Sequence, residues 1–403
     1  MQHQAVQGVR NRRVFYIPGY DPFPPRRYRE LYRHESAAQA ALSGYEVAVT
    51  RGRGTGPEGW HVTARIDGDL VSADIEVLVW SDLVRASMDQ GIAATYWQLL
   101  RTVWIYLSTG ALYRLMHLRK GPVIAALYPV VMLLAQLGGA LLLAWGVAAS
   151  VGTVLPLAVG WALGLALGVQ MLRVFKRLDR RLFAYYLMQD YAYSAQARGA
   201  NPPDLERRMA EFRQTIRAAL APGTDEVLVV GHSSGAHLAV SILADLLREG
   251  LPEGGPTLSF LSLGQVVPMV SFLPDAHRLR ADLHDLAAQD RVAWVDVTAP
   301  GDGCAFALCD PVAVSGVAPE DKLWPLVMSA AFTRTLSPER WKALRWRFFR
   351  LHFQYLCAFD RPGDYDYFRI TAGSQTLAAR YAGRAPSKSR IDVAVSGYRS
   401  RSA

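Results

Sequence analysis

For about fifty residues, from 121 to 172, the chain has no Asp, Glu, Lys, Arg or His. That absence excludes an ordinary surface helix, because a soluble helix this long shows a polar face. A membrane-crossing helix needs about 20 apolar residues, so the run accommodates two. Spans are expected at 122–145 and 153–172, with Ala148, Ala149, Ser150, Val151 and Gly152 as the turn between them. Cysteine is also scarce. The chain holds three, Cys304, Cys309 and Cys357. An odd number without repeated short spacing excludes a disulfide framework and a structural zinc site, and points to reduced thiols. No metal and no cofactor are expected. No basic stripe interleaved with aromatics stands on a compact domain, so the net charge of +9 does not read as nucleic-acid binding. No apolar core of signal-peptide length follows the N-terminal arginines, and no cleavable export signal is expected. There is no internal repeat.

The basic residues lie where the apolar run stops. Arg114, Arg119 and Lys120 precede it, and Arg173, Lys176, Arg177, Arg180 and Arg181 follow it. The turn between the spans carries none. Basic residues stay on the cytoplasmic side. Both outer ends and the rest of the chain are therefore expected to face the cytoplasm, across a bacterial inner membrane. Gly138, Gly139, Gly160, Gly164 and Gly168 are small enough to let helices approach closely, within the hairpin or between chains.

Around this hairpin the pattern is that of a soluble α/β protein. Strands are expected at 13–17, 45–50, 60–66 and 75–80, with a helix at 25–42, a basic Gly-rich turn at 51–59 and a tight turn at Asp67-Gly68. Residues 83–118 read as one or two helices, with Trp97, Trp104, Tyr106 and Tyr113 suited either to a bilayer interface or to packing on the soluble domain. A basic, tyrosine-rich helix continues over 173–197. After Pro202-Pro203, an amphipathic helix at 204–220 leads into alternating strands and helices: strand 227–230, helix 236–247, strand 258–263, helix 277–288 and strand 292–297. Helices are expected again from Pro338 and over 365–381. This alternation implies a mostly parallel sheet. The expected division is 1–82 for the first part of the core and 83–200 for a helical insertion. Residues 201–385 complete the core, and 386–403 form a flexible basic tail.

One stretch carries chemistry. Four apolar residues, Val227 to Val230, run into Gly231-His232-Ser233-Ser234-Gly235 and then a helix. Gly-x-Ser-x-Gly at a strand-to-helix turn is a nucleophile elbow, whose flanking residues must be small because strand and helix cross closely. Only Ser233 has both glycines in register. A serine hydroxyl needs a base to take its proton and a third group to orient that base. In this topology the order along the chain is Ser, acid, His. Asp302 sits between two glycines in the loop after the strand at 292–297, and His352 is the one histidine beyond it. Asp296, in the strand, and Asp310, before Pro311, remain alternatives for the acid. His232 and His237 read as structural. Donors for a developing oxyanion are expected from the Ser234 N–H and from the loop Pro18-Gly19-Tyr20-Asp21, at Tyr20 or Gly19.

The elbow, the Gly loop after the first strand and the Ser-Asp-His order resemble the α/β-hydrolase superfamily over residues 13–381, with 83–200 as an insertion. The resemblance implies an α/β-hydrolase-like sheet with helices on both faces. It also implies lipase- or esterase-like cleavage of an acyl ester through an acyl-enzyme. The chain departs from the family by entering at the oxyanion-loop strand and by carrying the hairpin. The expected function is a membrane-anchored serine hydrolase acting on a lipid or other acyl ester. The alternatives are an acyltransferase on the same triad and a non-catalytic membrane scaffold.

Overall fold

The structure is a computed structural model that describes residues 8–52 and 58–402. Most of the turn expected at 51–59 lies outside the described residues. Eight strands form one sheet: β1 (Asn11–Ile17), β2 (Glu46–Arg51), β3 (Gly59–Ile66), β4 (Asp69–Val77), β5 (Glu226–His232), β6 (Thr257–Leu263), β7 (Val292–Thr298) and β8 (Leu326–Ser329). Their spatial order is β2-β3-β4-β1-β5-β6-β7-β8. The β2-β3 and β3-β4 pairs are antiparallel, and every other neighbouring pair is parallel. The expected mostly parallel α/β sheet is therefore present. At the β3-β4 hairpin Asp67 and Gly68 both take positive φ, 54° and 90°. Such a turn matches the right-handed strand twist.

Residue alternation along the strands puts helices on both faces. Val14, Tyr16, Leu228 and Val230 pack with Tyr28 and Tyr32 of α1 (Arg26–Ser43). Phe15, Ile17, Val227 and Val229 point the other way, toward the helices that precede and follow β5. The chain leaves β1 toward one edge and β5 toward the other. The β1/β5 boundary is thus a switch point, where a crevice opens beyond the carboxyl ends of the strands.

The insertion between β4 and β5 is helical: α2 (Ser81–Met88), α3 (Ile92–Ser108), α4 (Ala111–Leu118), α5 (Lys120–Val151), α6 (Leu157–Arg177), α7 (Asp179–Leu182), α8 (Ala184–Ala195) and α9 (Pro203–Ala219). Residues 83–118 lie in three helices rather than one or two. The break before α4 falls at Gly110, with φ 69°. Both fates expected for the aromatics occur. Tyr106 is buried and donates to the Met269 carbonyl at 2.9 Å, whereas Trp97, Trp104 and Tyr113 are exposed.

Helices α5 and α6 are long and apolar enough to cross a membrane, and only 22% of the most apolar window of each is covered by protein. The turn between them lies later than expected. Ala148 to Val151 continue α5, and the chain reverses over 152–156. Alanine and serine are compatible with helix, so the reversal waits for Gly152 and Pro156. The helix expected to run on to 197 is interrupted as well. Phe183 takes φ 56°, and the Asp179 carboxylate accepts from the amides of Tyr185 and Tyr186, both at 2.9 Å, to start α8. Within the hairpin Gly160, Gly164 and Gly168 lie against the backbone of Ala148, Ala144 and Ala140, where a Cβ would collide. The glycine stripe therefore closes the hairpin on itself. Residues 386–402, expected as a flexible tail, are tied to the core. Ile391 exchanges backbone hydrogen bonds with Leu308 and Asp310 at 2.7 and 2.9 Å, and Arg280 Nε donates to the Ser400 carbonyl at 2.7 Å.

The close contact at Gly164 gives a direct test. Gly164→Ala is expected to destabilise the detergent-solubilised protein by about 1–3 kcal/mol through overpacking. Gly138→Ala, which meets nothing within 4 Å, should leave the thermal midpoint at or above that of the parent. Equal midpoints for the two variants would contradict the packing.

Candidate active site

The site is built at the carboxyl end of β5. Ser233 has φ 56°, a left-handed conformation that costs an L-residue about 1–2 kcal/mol. The surrounding glycines make it possible. A Cβ on Gly231 would come within 2.7 Å of Ala236 Cα, and one on Gly235 would strike the Ile17 and Pro18 carbonyls. The Ser233 amide donates to the Leu263 carbonyl at 2.9 Å, holding the turn to β6. The next helix, α10 (Gly235–Arg248), begins at once, with Ser234 as its N-cap.

The loop after β1 lies opposite. A Cβ on Gly19 would stand 2.8 Å from Ser233 Cβ, so glycine is what lets this backbone approach the serine. The indole of Trp80 pins the loop by donating to the Pro18 carbonyl at 2.9 Å. The Tyr20 side chain points away and bonds Ser87 Oγ at 2.5 Å. The amide N–H groups of Tyr20 and Ser234 have no partner among the described residues. Gly19 thus contributes space, and Tyr20 and Ser234 contribute free donors.

His352 ends a short helix (Phe348–His352), and Asp302 lies in the loop after β7. His352 Nδ1 donates to Asp302 Oδ2 at 2.7 Å. Asp302 Oδ2 also accepts from the Tyr355 hydroxyl at 3.0 Å, and Oδ1 accepts from the Cys304 amide at 2.9 Å. Burial would raise this carboxyl, but the His352 ring and these hydrogen bonds outweigh it and hold the group below its ordinary value. A buried carboxylate kept ionised fixes the Nδ1–H tautomer and leaves Nε2 with its lone pair. His352 Nε2 is buried with no hydrogen-bond partner among the described residues. Ser233 and His352 line one cavity of about 1630 Å³, though no hydrogen bond joins them.

The alternatives for the acid are placed elsewhere. Asp296 lies within β7 and accepts from Ser262 Oγ at 2.5 Å. Asp310 caps a short helix (Pro311–Val314) through the Val312 and Ala313 amides, both at 3.0 Å, and pairs with Lys322. Neither bonds His352.

Several residues of the site escape sequence reasoning. Tyr355 braces Asp302 and accepts from the Ala299 amide at 3.0 Å. Its position three residues past His352 was the available clue. His232 is structural in a specific way: Nε2 donates to the His352 carbonyl at 3.0 Å. Burial and the neighbouring His352 push its pKa down to about 3, so the ring stays neutral. Asp190 of α8 lines the same cavity. It is the one charged residue in that helix, and burial pushes its carboxyl up to about 7. Asp302, Cys304 and His352 also bring three ligand-type atoms within 4.8 Å of one another. Burial and Asp302 push the Cys304 thiol well up, and Nδ1 is already bonded to the carboxylate. A thiol kept protonated and an Nδ1 already bonded leave the set poorly suited to hold a cation.

Set against protein-family models, curated proteins and solved structures, the chain matches none.

Burial pushes Asp296 up to about 8. A carboxyl whose pKa rises on folding binds more protons in the native state. Its contribution to stability therefore falls as pH climbs from the unfolded value near 3.8 to about 8. Asp296→Asn should melt above the parent at pH 8, with the advantage shrinking toward pH 4. A melting difference that stays constant with pH would contradict this placement.

Proposed function

We propose that the protein is a membrane-anchored serine hydrolase that cleaves an acyl ester. The observation that carries this reading is the left-handed Ser233 at the mouth of β5, sharing one cavity with a His352 whose Nδ1 is held by Asp302. The strained turn presents Oγ to the cavity, and the fixed tautomer leaves Nε2 to accept its proton. These features support the likeness to α/β-hydrolases drawn from the sequence.

The chemistry follows from these positions. Ser233 Oγ attacks the ester carbonyl carbon while its proton passes to His352 Nε2, and the carbonyl π electrons move onto oxygen. The amides of Tyr20 and Ser234 are the donors for that oxyanion, with the positive end of α10 adding to the field. Collapse expels the alcohol, which takes the proton from Nε2, and leaves the acyl group on Ser233. Water then gives a proton to Nε2 and attacks the acyl carbon. The acid departs and the proton returns to Ser233. Asp302 stays ionised throughout and stabilises the imidazolium. Ser233 Oγ and His352 Nε2 are to come into hydrogen-bond reach as substrate fills the cavity, as catalytic hydrogen bonds often tighten only in the complex.

The hairpin supports the membrane half of the reading. Two exposed apolar helices flanked by arginine at their outer ends fit a bilayer, with the sheet on the cytoplasmic side. The insertion is part of the site wall. Gly121 at the start of α5 lies where a Cβ would meet Gly303 Cα at 3.4 Å, and Arg119 Nε donates to the Ala307 carbonyl at 2.7 Å.

A panel of p-nitrophenyl esters of increasing acyl length tests the reading on the purified protein. The parent should turn over at least one ester, and Ser233→Ala should be inert. Asp302→Asn should lose about 10⁴-fold in kcat, whereas Asp296→Asn should stay within about threefold of the parent. Equal loss in both Asp variants, or turnover by Ser233→Ala, would overturn the assignment.

A further inference from the structure

The cavity that holds Ser233 is walled by apolar side chains, including Leu31, Leu187, Met269 and Phe353, yet arginines line it too. Arg27 comes from α1, Arg177 from the end of α6, Arg180 from α7, and Arg350 from the short helix that ends in His352. All four are exposed as well as lining the cavity, so they stand at its open rim. None has a carboxylate partner among the described residues. Arg27 is further held in place by aromatic rings, 3.6 Å over Phe23 and 5.8 Å from Phe353.

Three of the cavity carboxylates are engaged by other groups, although Asp21 also feels the charge of Arg27. Asp21 accepts from the Tyr28 hydroxyl at 2.6 Å and the Phe23 amide at 2.9 Å. Asp179 caps α8, and Glu35 accepts from the Ala358 amide at 2.9 Å and pairs with Arg340 at 3.8 Å. Asp190 lies in the cavity as the remaining acid. Basic residues at the end of a spanning helix are ordinary. Arg27 and Arg350 are not explained that way, because they belong to other elements yet line the same cavity as the helix-end arginines.

Resting on the hydrolase reading above, we infer that the substrate is an acyl ester carrying a phosphate or phosphodiester group, bound with its acyl chain along the apolar wall and its anionic group at the rim formed by Arg27, Arg177, Arg180 and Arg350. Guanidinium groups bind phosphate oxygens through paired, charge-assisted hydrogen bonds. A rim placed where the apolar surface of α6 ends meets such a group at the headgroup level of a bilayer.

Binding separates this inference from catalysis. Ser233→Ala protein in neutral detergent micelles is titrated with lysophosphatidate and, in parallel, with monoacylglycerol of the same chain. Lysophosphatidate should bind at least about tenfold more tightly, and the preference should weaken as salt is raised. R27Q combined with R350Q, and separately R177Q combined with R180Q, should each reduce the preference by about threefold or more, while lysine at the same positions retains part of it. Glycerol 3-phosphate identifies the source. Full competition marks a soluble phosphorylated ester, and weak competition marks a membrane lipid; both sustain the rim as a phosphate site. Equal affinity for the two amphiphiles, or a preference untouched by both double variants and by salt, overturns the inference. Ester turnover by the wild-type protein with no anionic preference sinks only the rim. Anionic preference without any ester turnover sinks the hydrolase reading and leaves the binding site.

Discussion

The structure depends on one close crossing of backbones. At the end of β5 the chain turns into α10 so tightly that Gly235 lies on the Ile17 and Pro18 carbonyls and Gly231 lies on Ala236. Side chains are excluded on both sides of Ser233, and the serine itself is driven to positive φ. The cost of about 1–2 kcal/mol is sustained because the crossing is surrounded by fully buried strand and helix residues. The same contact brings the β1 loop against the serine. One steric constraint thereby places the hydroxyl, the Gly19 gap and the free amides of Tyr20 and Ser234 together.

The helical insertion is more than an attachment to a finished domain. Its first helices are packed by Trp80 and Tyr106 onto the β1 loop and onto Met269. The foot of α5 touches the loop that carries Asp302. Helix α8 then returns Asp190 and Tyr191 to the cavity of Ser233 and His352. A hairpin built this way positions the site relative to the apolar surface of α5 and α6. In the proposed reading, substrate enters from the membrane side along walls that the insertion itself supplies.

Much of the fold was legible because its signals are local. The apolar run from Val227 to Val230, the glycine pair around Ser233 and the uncharged run at 121–172 each depend on a few neighbouring residues. The pairing of Asp302 with His352 is legible because one histidine alone follows the loop after β7. What stayed hidden is long-range or finely balanced. Strand β8 is four residues long and offers no periodicity to read. The hairpin turn lies several residues later than its composition suggests because Ala148 to Val151 are as compatible with helix as with a turn. The Ser/Arg composition of the tail says nothing of Ile391 pairing with Leu308 and Asp310. Tyr355 and Asp190 enter the site through tertiary contacts that leave little trace in the spacing of residues.

In the proposed reading Ser233 is the nucleophile. The most direct measurement is peptide mass mapping of the protein after reaction with a fluorophosphonate. One phosphonyl adduct is expected, on Oγ of Ser233, formed slowly or not at all when His352 is replaced by alanine. An adduct on Ser234 or at a site outside this cavity, or no adduct on folded protein, would contradict it.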